Sequence, residues 1–306
     1  MTAVVIPSLG GANLEACLAG VSALEPGPAA VLVVLSGGAP PPPPAPRLEV
    51  LSFDRRLGFA AAVNAALDHL GNPVDPIALL NDDAGPEPGW LATLEAALDA
   101  DPTLAAVQGT VTDADGLRVD GRGIALDPFG LPVQVDRGDD VEPEPEAARP
   151  VTAVSATAAL YRADALGQTR LRDGSFLDPG FGAYHEDLDL GLRLRRLGWA
   201  AAWVPGARAS HLGSASGGRL RWRHPWWLLA NRWRALAGNL SGPALAAALP
   251  RLLRGELRAL RTLARDNPRA PLVAVGTTAA LPWLLARGLA RPSPGPRLRA
   301  LQEVNA

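Results

Sequence analysis

Two acidic clusters have the residue types and neighbours of a chemical site. Leu79-Leu80-Asn81-Asp82-Asp83 ends an apolar run with an amide and two adjacent carboxylates. Adjacent carboxylates repel unless a cation neutralises them. A hard divalent ion with oxygen ligands does so and keeps positions open for substrate phosphates. The same residues also suit a plain Asp-rich turn, with Asp83 bonding local backbone. Tyr184-His185-Glu186-Asp187-Leu188-Asp189-Leu190 places three acids at the start of a helical pattern. The helix dipole alone favours acids there, by about 0.3–1 kcal/mol each. Gly180, Phe181 and Gly182 precede them, as expected of backbone lying close to a ligand. A carboxylate held there could take a proton from a hydroxyl nucleophile.

Two further stretches are candidates. His211 lies in Ala209-Ser210-His211-Leu212-Gly213-Ser214, at the start of a Gly/Ser-rich turn after a strand. A neutral imidazole is a good metal ligand, although a lone loop histidine is more often simply exposed. Arg55-Arg56-Leu57-Gly58-Phe59 leads into a helix that carries Asn64. Backbone N–H groups and arginines at such a helix start can hold the phosphates or base of a nucleotide. His69, His185 and His224 have no comparable setting. Glycines are too few for a dinucleotide fingerprint, and the chain has no lysine for a phosphate loop. Both facts argue against dehydrogenases and phosphate-loop nucleotidases.

The elements that must position these residues alternate. Strands are expected at Ala3–Leu9, Ala29–Ser36, Leu48–Phe53, Ile77–Leu80 and Leu104–Val111. Helices are expected from Asn13, as an N-cap with Leu14, Leu18 and Val21 on one face, and at Gly58–Leu70 and Pro88–Ala100. Gly37–Arg47 holds six prolines and must be a loop. This alternation implies a mostly parallel α/β sheet, with ligands gathered beyond the carboxyl ends of its strands. Asp113–Pro150, rich in Gly, Pro and acids, reads as a mobile surface loop. A strand at Val151–Tyr161, a helix at Glu186–Leu197 and a short strand at Trp199–Val204 follow.

Composition sets the outer bounds. The 306 residues, 48% apolar and 20% charged, suit one large globular domain or two smaller ones. A single cysteine, Cys17, excludes an internal disulfide and a cysteine zinc cluster. Met1-Thr2-Ala3-Val4 puts no basic stretch before the first apolar run, so no signal peptide and a cytosolic location are expected. All 29 basic residues are arginine, which we attribute to genomic composition bias. Residues 1–204 carry 13 arginines against 28 acids, whereas residues 205–306 carry 16 against 3, with five of the eight tryptophans. A basic, Trp-bearing helical tail suits an anionic membrane surface or another polyanion. Within it, Ala270–Ala286 is an uncharged run of 17 residues, at the lower limit for a membrane span, and an interfacial or core helix is the preferred reading.

In order and spacing these pieces resemble the inverting family 2 glycosyltransferases of the GT-A fold, nearest to bacterial rhamnosyltransferase-like members. Val4-Val5-Ile6-Pro7 is similar to the family's first strand. Arg56-Leu57-Gly58-Phe59-Ala60 with Asn64 is similar to its asparagine-leucine-glycine-phenylalanine-alanine helix start. Asn81-Asp82-Asp83 stands in the place of its metal-binding acidic triplet. Phe176-Leu177-Asp178 through Glu186-Asp187-Leu188-Asp189-Leu190 and Arg193 resembles its catalytic segment. Pro205, Ala207, His211, Gly213 and Ser216 fit the downstream pattern, and Trp227–Trp233 a family-like helical tail.

The resemblance implies a GT-A domain over residues 1–216, a nucleotide-diphospho-sugar transferase fold with a Rossmann-like sheet, and a basic, Trp-rich helical region over 217–306. It implies a metal-dependent transfer of a hexose or deoxyhexose from a nucleotide-sugar to a hydroxyl of a glycan or lipid-linked acceptor, in cell-envelope polysaccharide synthesis. Asp83, with His211, would hold Mg2+ or Mn2+ on the donor diphosphate. Pro7, Arg56, Gly58, Asn64, Asn81 and Asp82 would line the donor site. Asp187 would be the general base and Glu186 its support. Three positions depart from the pattern. Leu35 stands where the family has a base-reading aspartate, Asn81 opens the triplet, and Pro179 replaces a frequent acid.

Two other readings compete with this one. Nucleotidyl transfer onto a sugar phosphate also uses metal-bound carboxylates, but Ser8-Leu9-Gly10-Gly11-Ala12 is thin for its signature loop. A non-catalytic membrane-associated partner in a glycan assembly complex is motivated by Leu35 and the basic tail, with the retained Asp83 and Asp187 against it. The expected partners are the donor, the acceptor and an anionic membrane surface on the inner face of the cell membrane, with no nucleic acid.

Overall fold

The computed structural model describes residues 1–71, 75–213, 224–266 and 270–304. Chain order gives β1 (Ala3–Ser8), α1 (Ala12–Ser22), β2 (Ala30–Ser36), β3 (Leu48–Phe53), α2 (Phe59–Leu70), β4 (Ile77–Leu80), β5 (Ala84–Pro86), α3 (Trp90–Ala100) and β6 (Leu104–Thr112). Then come β7 (Val119–Gly121), β8 (Ile124–Leu126), β9 (Pro132–Gln134), β10 (Arg149–Val151), β11 (Ala158–Tyr161), α4 (Ala163–Gln168), α5 (Glu186–Arg196) and β12 (Ala200–His211). Three helices follow: α6 (His224–Asn239), α7 (Gly242–Asp266) and α8 (Ala270–Ala290).

The main sheet runs β10-β12-β6-β11-β4-β1-β2-β3. β3, β2, β1 and β4 are mutually parallel, so the carboxyl ends of β1, β2 and β4 emerge at one edge. β11 is inserted antiparallel between β4 and β6, and β12 runs parallel to β6. The inner strands read as near-continuous apolar runs because both faces are covered. Leu14, Val21, Trp90 and Leu94 pack on one face. Val63, Leu67, Leu166, Leu190 and Leu194 pack on the other. A third core joins Leu188 and Leu192 of α5 and Ile124 of β8 to Trp233, Leu236, Leu245 and Leu284 of the last three helices. α5 therefore buries one stripe on the sheet and another on the helical region.

The structure corrects several expectations. Asn13 does not cap α1; Gly11 does, without a side-chain bond. The 113–150 stretch is not a solvated spacer. It holds four short strands, and its buried Arg122 donates to Thr110 Oγ1 (3.1 Å) and the Val141 carbonyl (2.8 Å) and pairs with Asp136, tying the 136–141 loop to β6. The single strand expected at Val151–Tyr161 is two. Ser155 and Thr157 join hydroxyls at 3.0 Å, and Gln108 Oε1 accepts the Ser155 N–H, turning the chain between β10 and β11. The strand expected to end at Val204 runs on to His211, because Arg208–Ser210 pair again with Thr110–Thr112 after an irregularity and β5 pairs on the other side. The join between 216 and 217, Ser216 and Trp222 lie outside the described residues.

The basic tail is helical as expected, yet many of its arginines and tryptophans turn inward. Arg232 reaches the Leu252 carbonyl, and Arg297 caps carbonyls of Ala237 and Leu289. Trp233 is fully buried and donates to Glu256 at 2.9 Å. Trp226 packs near Gly276, and Trp227 near Gly182.

Candidate active site

β4 delivers Asn81, Asp82 and Asp83 to the sheet edge. The Asn81 N–H donates to the Thr157 carbonyl, which fixes the turn. Ser8, at the end of neighbouring β1, donates its hydroxyl to Asp82 Oδ2 at 2.6 Å and accepts the Gly10 N–H. Burial pushes the Asp82 carboxyl up, Asp83 adds repulsion, and the Ser8 bond opposes both. Asp83 is buried, and its Oδ1 lies 3.3 Å from His211 Nε2. β5 and β12 enforce that approach, since His211 stands opposite Ala84 and the Leu212 N–H donates to the Asp83 carbonyl. The other imidazole nitrogen, Nδ1, meets Asp120 Oδ2 at 2.9 Å, and Arg137 braces Asp120. Burial works against charge on His211, but its bonds to Asp120 and Asp83 outweigh it and raise the imidazole to about 9.

Among the described residues, no three His, Cys, Asp or Glu side chains converge as a metal cluster. The donor set here is one carboxylate and one imidazole. That set fits a divalent ion that takes its remaining ligands from a substrate diphosphate. Coordination through Nε2 requires the imidazole to give up its extra proton.

The second acidic cluster stands across the Ser155–Thr157 turn. Asp187 Oδ1 accepts the Leu188 N–H at 2.8 Å, and the Ala156 backbone also bonds the carboxyl. Asp187 and Glu186 are half-buried, and loss of solvation holds both above the ordinary carboxylate range. Their mutual repulsion adds to the rise of Glu186. Glu186 Oε2 is buried and takes no hydrogen bond. An unbonded carboxyl oxygen beside a hydrogen-bonded carboxylate is an arrangement in which a proton can be received and held.

The approach to this pair is strained and pinned. Gly182, Tyr184 and His185 all have positive φ, 71°, 68° and 69°. Consecutive left-handed residues that are not glycine persist only when their surroundings fix them. Asn231 Nδ2 lies 2.7–2.9 Å from the carbonyls of Phe181, Ala183 and Tyr184. Arg234 holds the Gly180 carbonyl and both oxygens of Asp178. Arg291 joins Asp178 (3.1 Å) to the wholly buried Asp189. Burial alone would raise Asp189, but Arg291 and Arg193 hold it at about 2. Gly191 lets α5 close in, because a Cβ there would lie 2.4 Å from Ala153 Cβ.

The remaining predicted residues divide. Arg56 and Gly58 are exposed at the α2 start, and Gly58 abuts the Gly182 carbonyl, so this helix start borders the loop before α5. Pro7 is half-buried in β1 beside Val34. Asn64 departs from the expectation of a donor contact. Its amide is occupied by the Phe176 and Leu177 N–H groups and the Leu177 carbonyl, so it fixes the segment that leads to Glu186 and Asp187 instead. Leu35 is buried in the apolar core and offers no group to a nucleotide base. His211 sits within a strand, not in a loop. Sequence reasoning missed Ser8, Asp120, Asn231 and Arg291. Ser8 had a signal, as a hydroxyl at the end of the first strand; the others had none in local pattern.

The family description "Glycosyl transferase family 2" matches residues 4–169. The N-acetylglucosaminyl-diphospho-decaprenol L-rhamnosyltransferase of Mycobacterium tuberculosis, in strains CDC 1551 / Oshkosh and ATCC 25618 / H37Rv, is 29% identical over 276 residues, covering 76% of this chain and 87% of that protein. Among solved structures, the mannosyltransferase PcManGT from Pyrobaculum calidifontis in complex with GDP-Man and Mn2+ superposes with a TM-score of 0.55 at 20% identity, over 94% of this chain and 84% of that one. GalNAc-T7 with UDP, GalNAc and Mn2+ gives 0.56 at 15% identity, over 79% of this chain. The chain spans about half the length of GalNAc-T7, 48%. At these identities the structural likeness is one of fold, the GT-A glycosyltransferase fold.

Proposed function

The chain belongs to glycosyl transferase family 2, and we propose that it moves a deoxyhexose or hexose from a nucleotide-sugar to a hydroxyl of a lipid-linked glycan, inverting the anomeric carbon. One observation carries the reading: Asn81, two residues before the Asp83 that meets His211, and the Asp187 carboxylate bond adjacent residues, Thr157 and Ala156, of one turn. Two adjacent functions are thereby served, one holding a leaving diphosphate and the other receiving a proton.

Asp83 and His211 would hold a divalent cation, Mg2+ or Mn2+, which when bound supplies positive charge to the departing nucleoside diphosphate. Asp82, fixed by Ser8, and Asn81 border that position. Asp187 accepts the proton of the acceptor hydroxyl as its oxygen attacks the anomeric carbon in line with the leaving group. Attack from the opposite face inverts the centre without a covalent glycosyl-enzyme. Glu186 keeps the pair short of full ionisation, so that a proton can reside there transiently. The exposed Arg56 and Gly58 border both donor and catalytic loop.

The name of the 29%-identical relative specifies a rhamnosyl transfer to a sugar on a decaprenyl diphosphate. This supports a polyprenyl-diphosphate sugar as acceptor, and with it cell-envelope polysaccharide synthesis at the cytoplasmic face of a membrane. Incubation with Mn2+ or Mg2+ and a panel of nucleotide-sugars, read as nucleoside diphosphate release, tests the proposal. Release from one donor, lost without metal and in Asp83→Ala and Asp187→Asn, is the expected result. Release that survives both substitutions overturns the site. Silence across the panel, with no donor binding by calorimetry, would favour the non-catalytic partner that Leu35 suggests.

A further inference from the structure

α8 is the one helix among the described residues long and apolar enough to cross a membrane by length and composition, but its two faces differ. Val273, Thr277, Leu284 and Gly288 are buried. Gly288 sits so close to α6 that a Cβ would meet Ala237 Cβ at 2.5 Å. The opposite face carries Leu272, Val275 and Trp283, exposed by 74%, 70% and 55%. With the exposed Ala279 and Ala286 they recur every three or four residues, one continuous apolar stripe on a helix of 21 residues. Soluble surfaces rarely leave such a stripe open without a partner.

Charge on the helix packed against α8 identifies the partner. α7, which packs on α8, exposes Arg251, Arg254, Arg258, Arg261 and Arg265 together with Leu253 and Leu257. The one acid of α7 whose side chain is described, Glu256, is buried against Trp233 and Arg232, and α8 has none. Arg254, Arg261 and Arg265 have no carboxylate partner among the described side chains. At the far end of the stripe, Arg287 lies 5.1 Å over the Trp283 ring, a pairing suited to the boundary between headgroups and acyl chains. Two copies of the chain meeting through this face would oppose rows of arginine with no exposed acid among the described side chains of α7 and α8.

We propose that the outer face of α8 and the adjoining arginines of α7 form the surface by which this protein lies on an anionic lipid bilayer, with α8 in the interface plane and not across it. A crossing would strip Val273, Leu284 and Gly288 from α6. It would also draw away Arg291, one residue past α8, which is bonded to Asp178 and Asp189 of the catalytic segment. The surface is therefore fixed to the machinery that receives the acceptor's proton. This extends the reading of a lipid-linked acceptor, but it is measured without turnover, so the two readings fail separately.

The full chain is floated with vesicles of phosphatidylglycerol and phosphatidylcholine, and with phosphatidylcholine alone. Binding to the anionic vesicles, weakened by salt, is expected. Leu272→Asn with Trp283→Ala should abolish it, while unchanged melting temperature and unchanged nucleoside diphosphate release with a water-soluble acceptor show that fold and site survive. Each of Arg254→Glu and Arg261→Glu should lower partitioning by about fivefold or more. The proposal is overturned if the wild-type chain stays in solution, if it floats equally well with neutral vesicles, or if the apolar double variant floats as well as wild type. A concentration-dependent dimer that the same double variant dissociates would also overturn it, assigning the face to a second copy.

Discussion

The two carboxylate centres sit on either side of one turn and are held in place by different forces. At Asp82–Asp83 the framework is backbone: parallel β1, β2 and β4, with β5 and β12 closing from the far side. Side chains such as Ser8 and His211 are added to positions that the ladders already define. At Glu186–Asp187 the framework is side chains. Asn231, Arg234 and Arg291 reach from the C-terminal helices to hold a strained loop and two buried acids. A sheet ladder survives the loss of any one side chain, whereas a buried ion pair does not. The donor end should therefore tolerate substitution better than the base end.

The largest expected effect is on turnover. Asp187→Asn should lower it about 10²–10⁴-fold, with Mn2+-dependent nucleotide binding by calorimetry unchanged; weakened binding would merge the two centres into one. Next is Arg291→Ala, which strands Asp189 in the interior with Arg193 as its remaining cation. Removing one partner of such a pair costs about 3–5 kcal/mol, to be read from urea unfolding. If nucleotide binding falls in parallel with stability, the contrast between the ends fails.

The acid limb of the turnover profile sharpens the comparison. Asp187 must be ionised to act, and burial raises it, so activity should fall with decreasing pH above the ordinary carboxylate range. The repulsion between the two carboxyls falls on Glu186, which burial and Asp187 together raise to about 8, so Glu186→Gln should leave that limb where burial of Asp187 sets it. At the donor end, His211 is raised to about 9. Its charged form stabilises the metal-free fold fully below the ordinary histidine value of about 6.5. That contribution is lost as pH rises through about 9. The difference in urea midpoint between wild type and His211→Gln should shrink over that window. The smallest effect is Ser8→Ala, which removes one hydrogen bond to Asp82, worth about 1 kcal/mol, and should raise the Asp82 carboxyl further; a carboxylate titration followed by NMR would read it.

The same contrast explains what the sequence disclosed. β1 to β4, β6 and the intervening helices announce themselves because a doubly covered sheet requires unbroken apolar runs, as in Val31–Leu35 and Ile77–Leu80, whereas the three residues Ala84–Pro86 of β5 carry no such run. Asp83 and Asp187 stand out because acids end an apolar strand and begin a helix. Residues 113–150 misled, since their strands are only three residues long and are joined by pairing and by Arg122 reaching three separate groups, not by local periodicity. The end of β12 misled for a related reason, because the strand passes Pro205 and Gly206 and resumes on tertiary pairing of Arg208–Ser210 with Thr110–Thr112. Asn231 and Arg291 were illegible because an amide or guanidinium in a polar-looking helix gives no local sign of what it reaches 50 or 102 residues away.

The third apolar core has a bearing on how such a chain can be inherited or rebuilt. Leu188 and Leu192 of α5 lie in it beside Trp233 and Leu284, and Asp178 and Asp189 find cations beyond the end of β12. A fragment cut after β12 would open an apolar stripe of its own catalytic helix to water and leave Asp178 without Arg234 or Arg291. The C-terminal helices are thus no interchangeable cassette. A chimera that grafts another relative's tail onto this sheet must carry across matching partners for Asp178, Asp189 and the 181–184 carbonyls, or else trade α5 along with the tail.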